Sequence, residues 1–276
     1  LLRRDEPLSI VRPSLTEVNE GDVRWWTDAA LLETGIFVAF SQRTGGVSER
    51  PYASLNLATH VGDAPDSVEA NRERFLTALG LSRYLPDLTM AEQVHGNRVA
   101  VVARGGQGAQ VGSRALPSTD GMVTSEPGVP LMMCFADCVP VLLVAPGPVV
   151  AVAHAGWRGA LGGVVPNTVD VLVSESGSAA SEMTAYIGPH ICADHYQVGS
   201  DVLSHFTRAF GTLARAESGG LDLGAVLAVS LTAAGVQPCR IADLGLCTAE
   251  ETDRLFSHRA ESGLTGRHGA LVCIAS

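Results

Sequence analysis

Short apolar runs broken by glycine and proline dominate the centre of this chain, and amphipathic stretches flank them. GIFVAFSQRTGG (35–46) reads as a strand running into a loop that carries Arg43. VSERPYASLNLATHVGD (47–63) has no clean period and reads as an ordered loop. DSVEANRERFLTALG (66–80) is the clearest helix. Val68, Phe75, Leu76 and Leu79 form its apolar face, Asp66 is the expected cap and Gly80 the stop. LTMAEQVHGNRVAVV (88–102) predicts two strands joined at His95-Gly96-Asn97, and GGQGAQVGSRALPST (105–119) a flexible surface loop. Residues 120–154 predict several short buried strands. A helix is expected from near Gly156 through the 160s and 170s, with Gly162, Gly163 and Pro166 weakening its first turns. MTAYIGP (183–189) is a further strand. Residues 199–215 and 220–235 read as helices, with Asp222 capping the second, and the tail returns to short strands.

Strands and helices mix without strict alternation and no linker interrupts them. The expectation is one α/β domain with mixed sheets over 35–276, preceded by a polar, loosely attached extension at 1–34. At 276 residues, 46% hydrophobic and 17% charged, the chain can bury a sizeable core. The net charge of −10 repels phosphate polymers, so nucleic acid is not an expected partner, although a local positive pocket still suits a small phosphorylated ligand. The six cysteines form no C-x-x-C pair and are too sparse for a disulfide scaffold. No stretch has signal-peptide character, and the most apolar region, 129–154, contains Asp137 and several prolines, unlike a membrane span. A cytoplasmic protein with reduced thiols, no membrane partner, and a monomeric or weakly self-associating state is expected.

Three residues stand out by position: His95, Cys138 and His154, each beside small residues at a predicted strand end. Two imidazoles and a thiolate suit a borderline-soft divalent metal such as zinc, and three protein ligands leave a fourth position open. Their spacing matches no compact metal motif, so spacing alone does not separate a shared site from three unrelated strand-end residues.

The segments around these residues carry a resemblance. Gln93-Val94-His95-Gly96, Ala136-Asp137-Cys138-Val139-Pro140 and His154-Ala155-Gly156-Trp157-Arg158-Gly159 resemble the signature segments of the laccase-domain, or YfiH-type, family. Thr44-Gly45-Gly46, Ser54-Leu55-Asn56-Leu57, Asp120-Gly121, Ile187-Gly188-Pro189 and Cys247-Thr248 match in the same order, so the likeness runs from about residue 36 to the end. The resemblance implies a four-layer α/β/β/α sandwich and one zinc held by His95, Cys138 and His154. It implies phosphorolysis of purine nucleosides, methylthioadenosine included, and deamination of adenosine, with purine nucleoside and phosphate as small-molecule substrates. Two alternatives come with it: a copper-dependent polyphenol oxidase, and a peptidoglycan-editing hydrolase using Cys138 and His154.

Around that triad, Arg43 and Arg158 are the candidates for phosphate or ribose contacts. Asp137 is a candidate acid/base or orienting carboxylate, and Asn56 and His60 are candidates for the pocket wall. Cys134 and Trp157 read as core. Where relatives often carry an aromatic residue, this chain has His258.

Overall fold

The computed structural model describes residues 12–104, 109–110 and 112–276. In chain order it has strands β1 (Thr16–Glu20), β2 (Val23–Thr27), helix α1 (Ala29–Leu32), β3 (Ile36–Ser41), α2 (Pro65–Ala78), β4 (Val99–Ala103), β5 (Ala109–Gln110) and β6 (Gly121–Thr124). There follow β7 (Leu131–Phe135), β8 (Val139–Ala145), β9 (Val149–Ala155), α3 (Trp157–Leu161), α4 (Val164–Ser176), β10 (Thr184–Ile187), α5 (Ser200–Phe210), α6 (Leu223–Ala233), β11 (Ile241–Asp243) and β12 (His268–Ile274). One sheet has the order β1-β2-β3-β12-β7 and is antiparallel throughout. The other, β11-β10-β8-β9-β6-β4-β5, is mixed. Neither closes into a barrel.

Alternation along the central strands builds the layers. Leu142 and Val144 of β8 and Val150 and Val152 of β9 face Val38, Phe40, Leu131, Met133 and Val272 between the sheets. Val141 and Leu143, one residue out of step, face Val165, Val169 and Leu172 of α4 and Leu227 of α6. On the far side, Ala39, Leu271 and Cys273 meet Phe75, Leu76 and Leu79 of α2. Both faces of the central strands are thus covered, and β8 and β9 are buried along their whole length, which explains why they read as continuous apolar runs. The result is the expected α/β/β/α sandwich.

Several local expectations need correction. Pro65 occupies the first helical position of α2, and Ala64 precedes it without a side-chain cap, so Asp66 lies inside the first turn and caps nothing. The expected 88–102 strand pair is a single strand, β4; Thr89 and Ala91 make only isolated bridges, to Leu131 and Leu116. The helix after Gly156 is two helices broken at Gly162-Gly163, where Gly163 takes φ +79. Part of the 105–119 loop lies outside the described residues; within it Ala109–Gln110 pairs with β4, and Leu116 is buried. The segment before 35 is not loosely attached where it is described: β1 and β2 form a hairpin paired onto β3, with Trp26 in the inter-sheet core and Trp25 in the outer one. Asp28 caps α1 and accepts a 2.7 Å hydrogen bond from the Tyr186 hydroxyl, which ties this hairpin to β10. Residues 1–11 lie outside the described residues.

Candidate metal centre

The β8–β9 hairpin has its tight turn at 146–148, so its open end is where Cys138 enters and His154 leaves. The register pairs Val139 with Ala155 and Pro140 with His154, which sets Cys138 beside the end of β9. On the other flank of β9, Gly121 pairs with Ala153, so Asp120 arrives at the same end of the sheet from β6. The Val94–Gly96 loop precedes β4, the next strand across.

Asp120 organises that edge. Its fully buried carboxylate accepts hydrogen bonds from the backbone N–H groups of Val94 (3.2 Å), His95 (2.9 Å) and Gly96 (2.8 Å). It also accepts one from His154 Nδ1 at 2.8 Å. That bond fixes the imidazole tautomer and turns Nε2 toward Cys138. His95 itself sits at φ +61, a left-handed conformation held by these bonds. Gln93 adds a second tie, donating to Cys134 O at 2.8 Å and accepting from Cys134 N at 2.9 Å.

The outcome is a cluster in which His95, Cys138 and His154 bring their ligand atoms within 4.8 Å of one another. The two imidazole centroids are 4.8 Å apart and nearly perpendicular. Burial pushes the Cys138 thiol up, but the His154 charge and hydrogen bonds from His154 and His95 outweigh it and bring the thiol down to about 6. Burial pulls His154 down, and the Cys138 thiolate with Asp120 outweighs it, raising the imidazole to about 9. The donor set fits a borderline-soft divalent cation. Gly156 leaves the room for one: a Cβ there would stand 2.7 Å from His95 Cδ2 and 3.0 Å from Cys138 Sγ.

A cavity of about 350 Å³ opens onto the cluster. His60, Trp157, Arg158, Tyr196, His258, Arg259 and Arg267 complete its wall. Arg158 is exposed, and its guanidinium stacks 4.2 Å over the Trp157 ring and makes no hydrogen bond within the described residues. Desolvation lowers the pKa of His60, helped by the charges of Arg267 and Arg72, and leaves that ring neutral at pH 7.

Two expected contacts are elsewhere. Arg43 does not line the cavity; it donates to the carbonyls of Ala53 (3.0 Å), Thr252 (2.6 Å) and Leu255 (3.2 Å), pairs with Glu261 and lies over Phe256. Asn56 is fully buried and spends both amide ends on Ala58, Asp63 and the N–H of Arg267, so it supports the wall from behind. Asp137 lines the cavity, but its carboxylate is occupied by Thr248 Oγ1 (2.7 Å), Ser257 Oγ (2.7 Å) and Arg259 N (2.6 Å). It is an anchor for the 248–259 segment. Cys134 is core, as expected, and it also lines the cavity; the chain changes sheets between β7 and β8, so it reaches that cavity from a different strand than Cys138. Arg259 and Arg267 lie in segments that match the family but, like Tyr196, were not among the expected site residues, and Asp120 had appeared there without a role.

Residues 37–275 match the family described as multi-copper polyphenol oxidoreductase laccase. A protein named purine nucleoside phosphorylase YlmD from Geobacillus stearothermophilus is 37% identical over 260 residues, covering 90% of this chain and 93% of that one. A purine nucleoside phosphorylase from Corynebacterium glutamicum is 39% identical over 238 residues, covering 84% and 92%. The crystal structure of the hypothetical protein YfiH from Bacillus licheniformis superposes with a TM-score of 0.82 at 32% identity, covering 91% of this chain and 96% of that one. The strand ends, the imidazole–thiolate cluster and these matches agree, and the chain belongs to the multi-copper polyphenol oxidoreductase laccase family.

Proposed function

We propose that the chain is a zinc-dependent purine nucleoside phosphorylase that also cleaves methylthioadenosine and deaminates adenosine. The observation that carries this reading is a single cavity with the His95, Cys138 and His154 donors at one wall and guanidinium groups at the others. Relatives bearing the phosphorylase name at 37–39% identity support it. A divalent cation held by the three donors would supply Lewis-acid polarisation.

The chain's own residues do the rest. Arg158, whose guanidinium has no other hydrogen-bonding commitment among the described residues, binds phosphate, and Arg267, also in the cavity lining, adds a second positive charge. Trp157 and Tyr196 offer flat apolar surface to a purine. In phosphorolysis a phosphate oxygen bonds to the anomeric carbon as the C–N glycosidic bond breaks, and the base leaves with the electron pair and takes up a proton. Neutral His60 serves as a hydrogen-bond partner at the ribose. Asp120 keeps His154 in one tautomer throughout, and Asp137 holds Arg259 and its segment against the cavity.

Cys138, His154 and Asp120 are also in the order of a thiol nucleophile, a base and an orienting carboxylate, which favours a cysteine hydrolase as the second reading. Mass-spectrometric product analysis of adenosine with phosphate separates the two. Adenine with ribose-1-phosphate, or inosine with hypoxanthine, formed by the wild type and not by Cys138→Ala, supports the nucleoside reading. No product from zinc-loaded protein, with thiol-dependent hydrolysis of a cell-wall precursor amide by metal-free protein, overturns it.

A further inference from the structure

A second cluster of metal-ligating side chains lies at the β10–β11 edge of the mixed sheet, outside the triad. β10 and β11 run parallel, so their following loops leave the sheet on the same side. The loops then stay in register: His190 N donates to Leu246 O at 3.1 Å and Thr248 N to His190 O at 3.0 Å. Each loop delivers a pair of donors three residues apart across a tight turn, Cys192 with His195 and Cys247 with Glu250.

We infer that Cys192, His195, Cys247 and Glu250 form a second, structural zinc site. Their four ligand atoms lie within 4.8 Å of one another. His195 Nδ1 is 3.2 Å from Cys192 Sγ and 3.7 Å from Cys247 Sγ. Glu250 Oε1 is 3.4 Å from His195 Nδ1 and 3.7 Å from Cys192 Sγ. Tetrahedral zinc with bonds of about 2.0 to 2.3 Å sets its ligand atoms about 3.3 to 3.8 Å apart, close to these four distances of 3.2 to 3.7 Å. The backbone N–H of Cys192 points at Cys247 Sγ at 3.2 Å, the kind of donor that steadies a ligating thiolate. Cys192 and Cys247 also line a separate cavity of about 350 Å³ whose wall carries Asp222 and Asp243, an acid-lined approach for a cation.

Four protein donors close the coordination sphere, so this site braces the fold and does no chemistry of its own. What it braces is the wall of the first cavity. Tyr196 follows His195 directly, and Arg259 donates from Nη1 to His195 O and from Nη2 to Gln197 O. Binding takes one proton from each thiol. The rival use of two neighbouring thiols is a disulfide between Cys192 and Cys247.

The test is zinc content of the purified full chain by elemental analysis and native mass spectrometry, and it does not depend on what the first cavity turns over. The expected result is about two zinc per wild-type chain, about one for Cys192→Ser, His195→Ala or Cys138→Ala, and none for the Cys138→Ala/Cys192→Ser double variant. Cobalt-loaded Cys138→Ala should show tetrahedral d–d bands and thiolate-to-cobalt charge transfer. This reports on the second site in a chain whose own residues there are unaltered. A wild-type chain holding one zinc that Cys138→Ala loses entirely would overturn the inference. So would a chain lighter by two hydrogens, with Cys192 and Cys247 labelled only after reduction.

Discussion

Among the described residues the molecule holds two clusters of cysteine and histidine, and they are built in opposite ways. His95, Cys138 and His154 come from the ends of a continuous sheet, and one buried carboxylate, Asp120, fixes both histidines. Cys192, His195, Cys247 and Glu250 come from two tight turns, and His195 and Glu250 are largely exposed. The first presents three donors to a cavity; the second closes four donors on themselves. Local electrostatics follow the construction. At the first, His154 supplies a positive partner and the Cys138 thiol falls to about 6. At the second, burial and the neighbouring Cys247 push the Cys192 thiol up to about 12. A preorganised site is thus charged before a cation arrives, whereas a loop-built one deprotonates as the cation binds.

The largest expected contrast is in thiol reactivity. In metal-stripped protein at pH 7, Cys138 is mostly thiolate and Cys192 almost wholly thiol. Allowing for the weaker intrinsic nucleophilicity of a low-pKa thiolate, iodoacetamide should label Cys138 at least about a hundredfold faster. As pH falls through about 6, Cys138 takes up its proton and its labelling should slow. Peptide mapping of the labelled chain measures both rates, and equal rates would erase the electrostatic distinction between the clusters.

Next is Gly156→Ala. The added Cβ meets His95 and Cys138 Sγ at 2.7 and 3.0 Å; His95 is held by its N–H bond to Asp120 and Cys138 by its place at the start of the buried β8. Displacing a donor by about an ångström should cost about a hundredfold in turnover and release the first cation. One zinc per chain should remain, held by the second cluster. If both are lost, the two regions are not independent.

How much of this contrast the sequence carries is itself uneven. Strand-end His95, Cys138 and His154 are legible because small residues and glycine beside an imidazole or thiol break the apolar pattern visibly. Asp120 is legible as a position but not as a partner, since its four donors come from segments separated by 24 to 34 residues. Arg43 misleads for the same reason: it follows a strand in an apparently open loop, and two of the three carbonyls that occupy it are more than 200 residues away. The β1 strand is hidden by its own polarity, because an edge strand with exposed faces needs no apolar alternation. The second cluster is invisible in one dimension, since two donor pairs become a site only through the parallel pairing of β10 and β11.

Asp120→Asn should have a smaller effect than Gly156→Ala. The amide keeps the size of the carboxylate but loses the negative charge that holds His154, so the first cation should bind about tenfold to a hundredfold more weakly. The second should be unaffected. Competition with a chromophoric chelator reads both affinities in one titration, and equal weakening at both clusters would mean that Asp120 acts on the whole fold.

The smallest effects separate two arginines on one cavity wall. Arg158 rests only on Trp157, so Arg158→Ala should raise KM for phosphate about tenfold and leave melting temperature and zinc content unchanged. Arg259 is committed to the carbonyls of His195 and Gln197, and its backbone N–H to Asp137. Arg259→Ala keeps the backbone bond and removes the two exposed guanidinium bonds, so it should cost about 1 kcal/mol of stability, weaken the second cation and shift KM for phosphate only a few-fold. Phosphate saturation curves alongside thermal melts and zinc content decide it. If Arg259→Ala raised KM as much as Arg158→Ala while zinc content and melting held, Arg259 would be a phosphate ligand. The second cluster would then lose its connection to the chemistry of the first.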